Sequence, residues 1–194
     1  SSLIRVRGAW GCTIVAGATI PALVLLSIPV SNLLAFGREA PFQLPSTELS
    51  LTGLVTVKSL YPLFFFNATG EEAGRRGFAL PRLQAGVSPL AASLIIALFW
   101  VLWHLMFYRA NGERAFSWRF WVMTLALHVP GSVIIGWLYN RSGGSIVVAG
   151  TAHAAAPTTI DLLLPTLEWP VYVSAITLGA LIVTLIDRMW KKLP

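Results

Sequence analysis

The stretch Leu90-Ala-Ala-Ser-Leu-Ile-Ile-Ala-Leu-Phe-Trp-Val-Leu-Trp-His-Leu-Met-Phe-Tyr108 decides the fold. Its nineteen residues contain no Asp, Glu, Lys or Arg, and its one imidazole is His104. An apolar run of this length matches the roughly 20 residues that a helix needs to cross a bilayer. Helix is the economical conformation there, because in lipid the backbone must satisfy its own N–H and C=O groups. Gly86 to Pro89 break the chain before the run, and a short polar loop at 109–115 follows it.

Five further segments of similar character lie on either side. They cover about Trp10 to Phe36, Leu49 to Phe66, Phe116 to Tyr139 (interrupted by Pro130-Gly131), Ser145 to Leu164 and Trp169 to Ile186. Composition agrees: 56% of the residues are hydrophobic and 11% charged, with mean hydropathy +0.72, where a soluble domain carries about 25% charged residues. The expectation is an all-α polytopic membrane protein with about six transmembrane helices, forming one membrane-embedded domain over residues 1–194. Trp10, Trp118, Trp121, Trp137, Trp169 and Trp190 fall near segment ends, as an interfacial aromatic belt requires. The lone Cys12 rules out an intrachain disulfide and suggests no Cys-based metal site.

The net charge of +6 comes from basic residues that flank apolar segments and form no single patch. They read as topology determinants, not as a nucleic-acid surface. With six spans and the N-terminus inside, Arg5, Arg7, Arg75, Arg76, Arg82, Arg141, Arg188, Lys191 and Lys192 lie on the inner side. Arg38, Arg109, Arg114 and Arg119 lie outside. This asymmetry predicts cytoplasmic termini.

Residues 70–84, Gly-Glu-Glu-Ala-Gly-Arg-Arg-Gly-Phe-Ala-Leu-Pro-Arg-Leu-Gln, hold two adjacent carboxylates at the border of the apolar runs. Neighbouring carboxylates repel each other and resist desolvation, so something must compensate them. A helix would pair Glu71 with Arg75 and Glu72 with Arg75 and Arg76, at spacings of three and four residues. That pairing alone is compatible with an ordinary membrane-edge helix. Ionisable residues within spans are functional hypotheses by default. Besides the two glutamates they are Lys58, His104, His128, His153 and Asp161. Lys58 is expected to snorkel or find a partner. Trp100 and His104 share a helix face, so the indole is placed to shield the imidazole. His153 lies among alanines, which let helices approach closely. His128 has no supporting context and reads as a packed histidine. Glu71 and His153 come near inner ends of their segments and His104 near an outer one. Either they meet inside the membrane or residues 67–86 dip back into it.

Two carboxylates and two histidines in apolar surroundings suit two chemistries. In one, a carboxylate activates water and histidines stabilise the oxyanion or pass protons. In the other, His and Glu hold zinc, although no His-Glu-x-x-His spacing occurs.

Glu71-Glu72-x-x-x-Arg76, then Trp100-x-x-x-His104, then His153 in a small-residue helix, resemble the CPBP family of intramembrane proteases, which includes CAAX-prenyl endopeptidases and bacteriocin-processing enzymes and is also called Abi. The strings at 71–84 and 99–105 resemble its bacterial members, and the resemblance covers about residues 50–160. It implies that Glu71 activates the attacking water, that His104 and His153 place it and support the transition state, and that Glu72 and Arg76 hold the site together. It also implies an endopeptidase in a bacterial cytoplasmic membrane, cutting a peptide or lipidated peptide near the membrane surface among membrane lipids. The expected cofactor is none, with zinc as the alternative. One position departs from the family pattern: four residues after His153, where the family usually carries an Asn oxyanion donor, stands Pro157. Proline has no N–H to donate, and it frees the His153 carbonyl inside the helix. Two rivals remain. Pro157 favours a non-catalytic binding or immunity protein of the same family. The intramembrane charges would suit a small transporter, against which stands the lack of an internal repeat.

Overall fold

The computed structural model describes residue 11, residues 14–19, residue 22, and residues 70–110, 117–163 and 169–193, with the side chains at 107–110, 119–120 and 158–169 left aside. Most of the first expected span, the whole second span with Lys58, residues 111–115 of the expected loop at 109–115, and the side chains of Thr158, Thr159 and Asp161 lie outside the described residues.

The described residues are helical and include no strand. A π-helical turn at Ala73–Ala79 runs directly into α1 (Leu80–Gln84). Four longer helices follow: α2 (Pro89–Ala110), α3 (Trp118–Arg141), α4 (Ile146–Leu163) and α5 (Trp169–Ile186). They coincide with the last four expected segments. Pro130-Gly131, read as an interruption, does not end α3. A transmembrane helix tolerates proline because neighbouring helices and local adjustment satisfy the freed backbone groups.

Pro89–Met106 and Trp121–Arg141 are long and apolar enough to cross a membrane. The outward surface of α2 supports that role. Leu98, Phe99, Trp103 and Met106 are 54–70% exposed. So are Leu178, Leu181 and Leu185 on α5, at 55–64%. Water would penalise such contiguous apolar faces, whereas lipid matches them.

Inside, α3 is the central element, packed against α2, α4 and α5. Val133, Ile134, Ile135 and Leu138 of α3 meet Ala92, Ile96 and Trp100 of α2, Val148, Ala149 and Ala152 of α4, and Tyr172 and Ile176 of α5 in one core. Two glycines permit close approaches. A Cβ at Gly136 would lie 2.5 Å from Ser93 Oγ, and one at Gly77 would lie 2.7 Å from Ile146 Cδ1. Small residues thus let α3 meet α2 and the π-helical turn meet α4.

Residues 70–84 are helical and reverse at 85–88 into α2. α1 packs against α2, and the π-helical turn packs against α4.

Candidate active site

The site forms where the π-helical turn faces α2, α3 and α4. π-Helical geometry is rare and is frequently found at functional sites. Here it carries both glutamates' partners. Arg75 pairs with Glu71, and Arg76 Nη1 donates to Glu72 Oε1 at 3.0 Å. The expected pairings therefore form, with Arg75 Nε also 4.0 Å from Glu72 Oε1. The helix type differs from an ordinary α-helix.

The two carboxylates occupy different environments. Glu72 is fully buried, while the Glu71 side chain is 26% exposed. Glu72 Oε1 accepts from Arg76 and from His153 Nδ1, the latter at 2.9 Å. Arg76, also fully buried, donates through Nη2 to Ser132 Oγ at 3.0 Å, and Ser132 Oγ donates to the Ser93 carbonyl at 2.8 Å. One chain of hydrogen bonds thus ties α4, the π-helical turn, α3 and α2 together. Glu72 and Arg76 are its middle links.

A carboxylate only accepts, so the bond to Glu72 fixes the His153 proton on Nδ1 and leaves Nε2 as the acceptor of the neutral ring. That nitrogen lies 3.7 Å from Glu71 Oε2. His104 Nδ1 donates to the Trp100 carbonyl at 2.9 Å, and His128 Nδ1 donates to the Thr124 carbonyl at 2.7 Å. All three imidazoles are therefore oriented through Nδ1.

Trp100 is the hub of the cluster. Its ring centroid is 4.7 Å from those of His153 and His128, both edge-on, and 6.0 Å from that of His104. The guanidinium carbons of Arg75 and Arg76 lie 4.5 and 5.3 Å from the indole centroid, within cation–π range. The expected shielding of His104 by Trp100 extends to three histidines and two arginines. His128, set aside on sequence grounds, belongs to the cluster, with its ring 4.3 Å from that of His104. No motif marks it. Its only signal was being ionisable within a span.

A cavity of about 490 Å³ opens beside the cluster. Glu71, Arg75 and Trp100 line it, together with Phe99, Leu102 and Trp103 of α2. Gly70 and Gly74 line the facing turn and leave it wide. Pro157 lies on α4 beyond His153, exposed. Among the described residues, no three His, Cys, Asp or Glu side chains stand together as a metal site would require.

The fold and this constellation define an integral membrane helical protein with buried Glu, Arg and His groups beside an apolar cavity. Residues 53–159 match the family described as type II CAAX prenyl endopeptidase Rce1-like, and the chain belongs to that family. The resemblance carried by Glu71, Glu72, Arg76, Trp100, His104 and His153 is thereby borne out at the level of the family. The chain is also 32% identical over 150 residues to CAAX prenyl protease 2 of Methanococcus maripaludis, an alignment covering 74% of this chain. The aligned part makes up 54% of that relative, about half of its length.

Proposed function

We propose that this protein is a membrane-embedded endopeptidase in which Glu71 activates water with the help of His104 and His153. The observation that carries the reading is the division of labour between the adjacent glutamates. Glu72 is buried and committed to Arg76 and His153, whereas Glu71 lines the cavity. A general base needs access to water and substrate, and a buried paired carboxylate offers none.

In this mechanism Glu71 takes a proton from water as the oxygen attacks the scissile carbonyl carbon. The resulting tetrahedral intermediate collapses by breaking the C–N bond, and the proton held by Glu71 passes to the leaving amine. Neutral His153 accepts a hydrogen of the attacking water through Nε2, which fixes its direction of approach. Glu72 acts as a positioning residue by keeping the His153 proton on Nδ1. In this reading Glu71 and the histidines act without a metal, and zinc held by His and Glu is the alternative.

The cavity supports a reading of the substrate class. Phe99, Leu102 and Trp103 offer an apolar wall next to Glu71, which suits a peptide bearing a lipid or another large apolar group. The relative's name, CAAX prenyl protease 2, is in keeping with such a substrate. The charge asymmetry would put both termini in the cytoplasm.

The test is Glu71→Gln, which keeps the shape and cannot take a proton. Cleavage of a lipidated peptide library should be lost while the protein still purifies folded, and chelators should leave wild-type activity intact. Loss of activity on chelation, restored by zinc, would move the mechanism to a metal. Pro157 supports a second reading, a non-catalytic binding protein, because it withholds an N–H donor on the helix that carries His153. A folded wild type that cleaves nothing across a broad panel would favour it.

A further inference from the structure

A second cavity, of about 430 Å³, opens at the end of the molecule where α3 and α5 finish. Trp137, Arg141, Asp187, Arg188, Lys191 and Lys192 line it. Four cations therefore surround one carboxylate, and that carboxylate is already occupied. Asp187 accepts from Trp137 Nε1 at 2.5 Å and from Arg141 Nε at 2.6 Å, and its other oxygen pairs with Arg141 Nη2. Among the described residues, Arg188, Lys191 and Lys192 have no ion pair.

The segment that carries these cations is built and anchored. Beyond α5 the backbone closes a Schellman cap: Met189 N–H donates to the Thr184 carbonyl at 3.0 Å and Arg188 N–H to the Leu185 carbonyl at 3.4 Å. Met189 is 3% exposed, and its carbonyl accepts from Leu90 N–H at 2.9 Å. The turn is thus pinned to the start of α2. The position in the left-handed conformation is Arg188, at φ 49°. Glycine usually fills that position, because a side chain there is strained. Strain kept at a position where glycine would relieve it points to a use for the side chain. The side chain kept here is a cation on the wall of an under-neutralised cavity.

We propose that this cavity holds the phosphate headgroup of an anionic phospholipid. The occupant is argued from charge complementarity and from position. The site lies at the ends of helices read as spanning the membrane, where the cations meet the headgroup layer. Trp137 and Arg141 supply an interfacial indole and a rigid guanidinium, while Arg188, Lys191 and Lys192 supply the excess charge. The proposal rests on the chain's membrane insertion and not on the peptidase reading, and its test measures no cleavage.

The experiment is native mass spectrometry of the full chain in neutral detergent, offered equal amounts of phosphatidylglycerol and phosphatidylcholine with the same acyl chains. Wild type should retain the anionic lipid selectively. Each basic residue near an anionic headgroup contributes about fivefold, so Arg188→Gly/Lys191→Gln/Lys192→Gln should weaken that preference by on the order of 10²-fold. Arg188→Gly alone should weaken it about fivefold while melting no lower than wild type, since glycine relieves the strained φ. This variant guards against misfolding, because a merely structural Arg188 would leave lipid retention unchanged. Arg82→Gln, a basic residue outside the cavity, should retain the preference. Millimolar inorganic phosphate should leave the lipid bound. The proposal is overturned by a wild type without preference, by a triple variant that matches wild type, by an equal loss in Arg82→Gln, or by displacement with inorganic phosphate.

Discussion

Glu72→Gln tests the architecture of the site most directly. The substitution preserves shape and removes one charge. It leaves Arg76 fully buried and hydrogen-bonded to Ser132 but without its counter-charge. Breaking a buried pair by removing one partner destabilises by about 3–5 kcal/mol, because the other charge stays desolvated. The Gln amide oxygen still accepts one of the two bonds now made by Glu72 Oε1, so the lower end applies, about 3 kcal/mol. For a chain of this size each kcal/mol moves the melting temperature by about 2–4 °C, which gives a fall of about 6–12 °C. Glu71→Gln provides the contrast. Glu71 is 26% exposed, and its pair with Arg75 is partly solvated. A partly solvated pair contributes about 0–1 kcal/mol, so Tm should fall by no more than about 4 °C. Adding Arg76→Met to Glu72→Gln should recover much of the loss, since exchanging a whole buried pair for apolar or neutral groups is often close to neutral. The assay is thermal unfolding in detergent, run as a double-mutant cycle. A Glu72→Gln protein that melts within about 2 °C of wild type, or a Glu71→Gln protein that proves the more damaged, would refute this assignment of the buried pair.

Three further outcomes are expected. Pro157→Asn should raise turnover by less than the roughly 10²–10³-fold of a full oxyanion-hole donor, because it also closes the backbone bond to the His153 carbonyl; slower cleavage would mean that the free carbonyl belongs to the site. Gly136→Ala should destabilise by about 1–3 kcal/mol in a chemical or thermal melt, since its Cβ meets Ser93 Oγ at 2.5 Å beside the hydrogen-bond chain to Arg76. The hydrogen bond from Arg141, followed by that from Trp137, holds the Asp187 carboxyl below its ordinary range. A depressed folded-state value stabilises above the unfolded value of roughly 3.9 and loses that contribution as pH falls through the folded value. Asp187→Asn should therefore loosen the turn at 187–190 at neutral pH, read as faster amide exchange at Met189, and the difference from wild type should vanish in strong acid.

The sequence by itself determined what depends on local chemistry. An apolar run from Leu90 to Tyr108 satisfies its own backbone in lipid as a helix, and the last four expected segments are the helices α2 to α5, of which Pro89–Met106 and Trp121–Arg141 are long and apolar enough to cross a membrane. The pairs Glu71–Arg75 and Glu72–Arg76 were legible for the same reason, since residues four apart on a helix are neighbours. The ordered motifs carried the family. Tertiary structure decided which glutamate is which. Glu71 and Glu72 are adjacent and chemically identical in the chain, and only the packing of the π-helical turn on α3 and α4 buries one and turns the other toward a cavity. It also decided the place of His128, whose ring reaches Trp100 and His104 through the meeting of α3 with α2. That crossing depends on Gly136 lying against Ser93, two residues 43 positions apart in the chain. The cation-lined cavity beyond α5 arose in the same way. Arg188 and Lys191 read as topology signals until a left-handed turn anchored by Met189 set them around a common space. Spacing along one helix fixes angles on that helix. Which helix it faces, and at what depth, is set by the side-chain volumes and close approaches of the whole bundle.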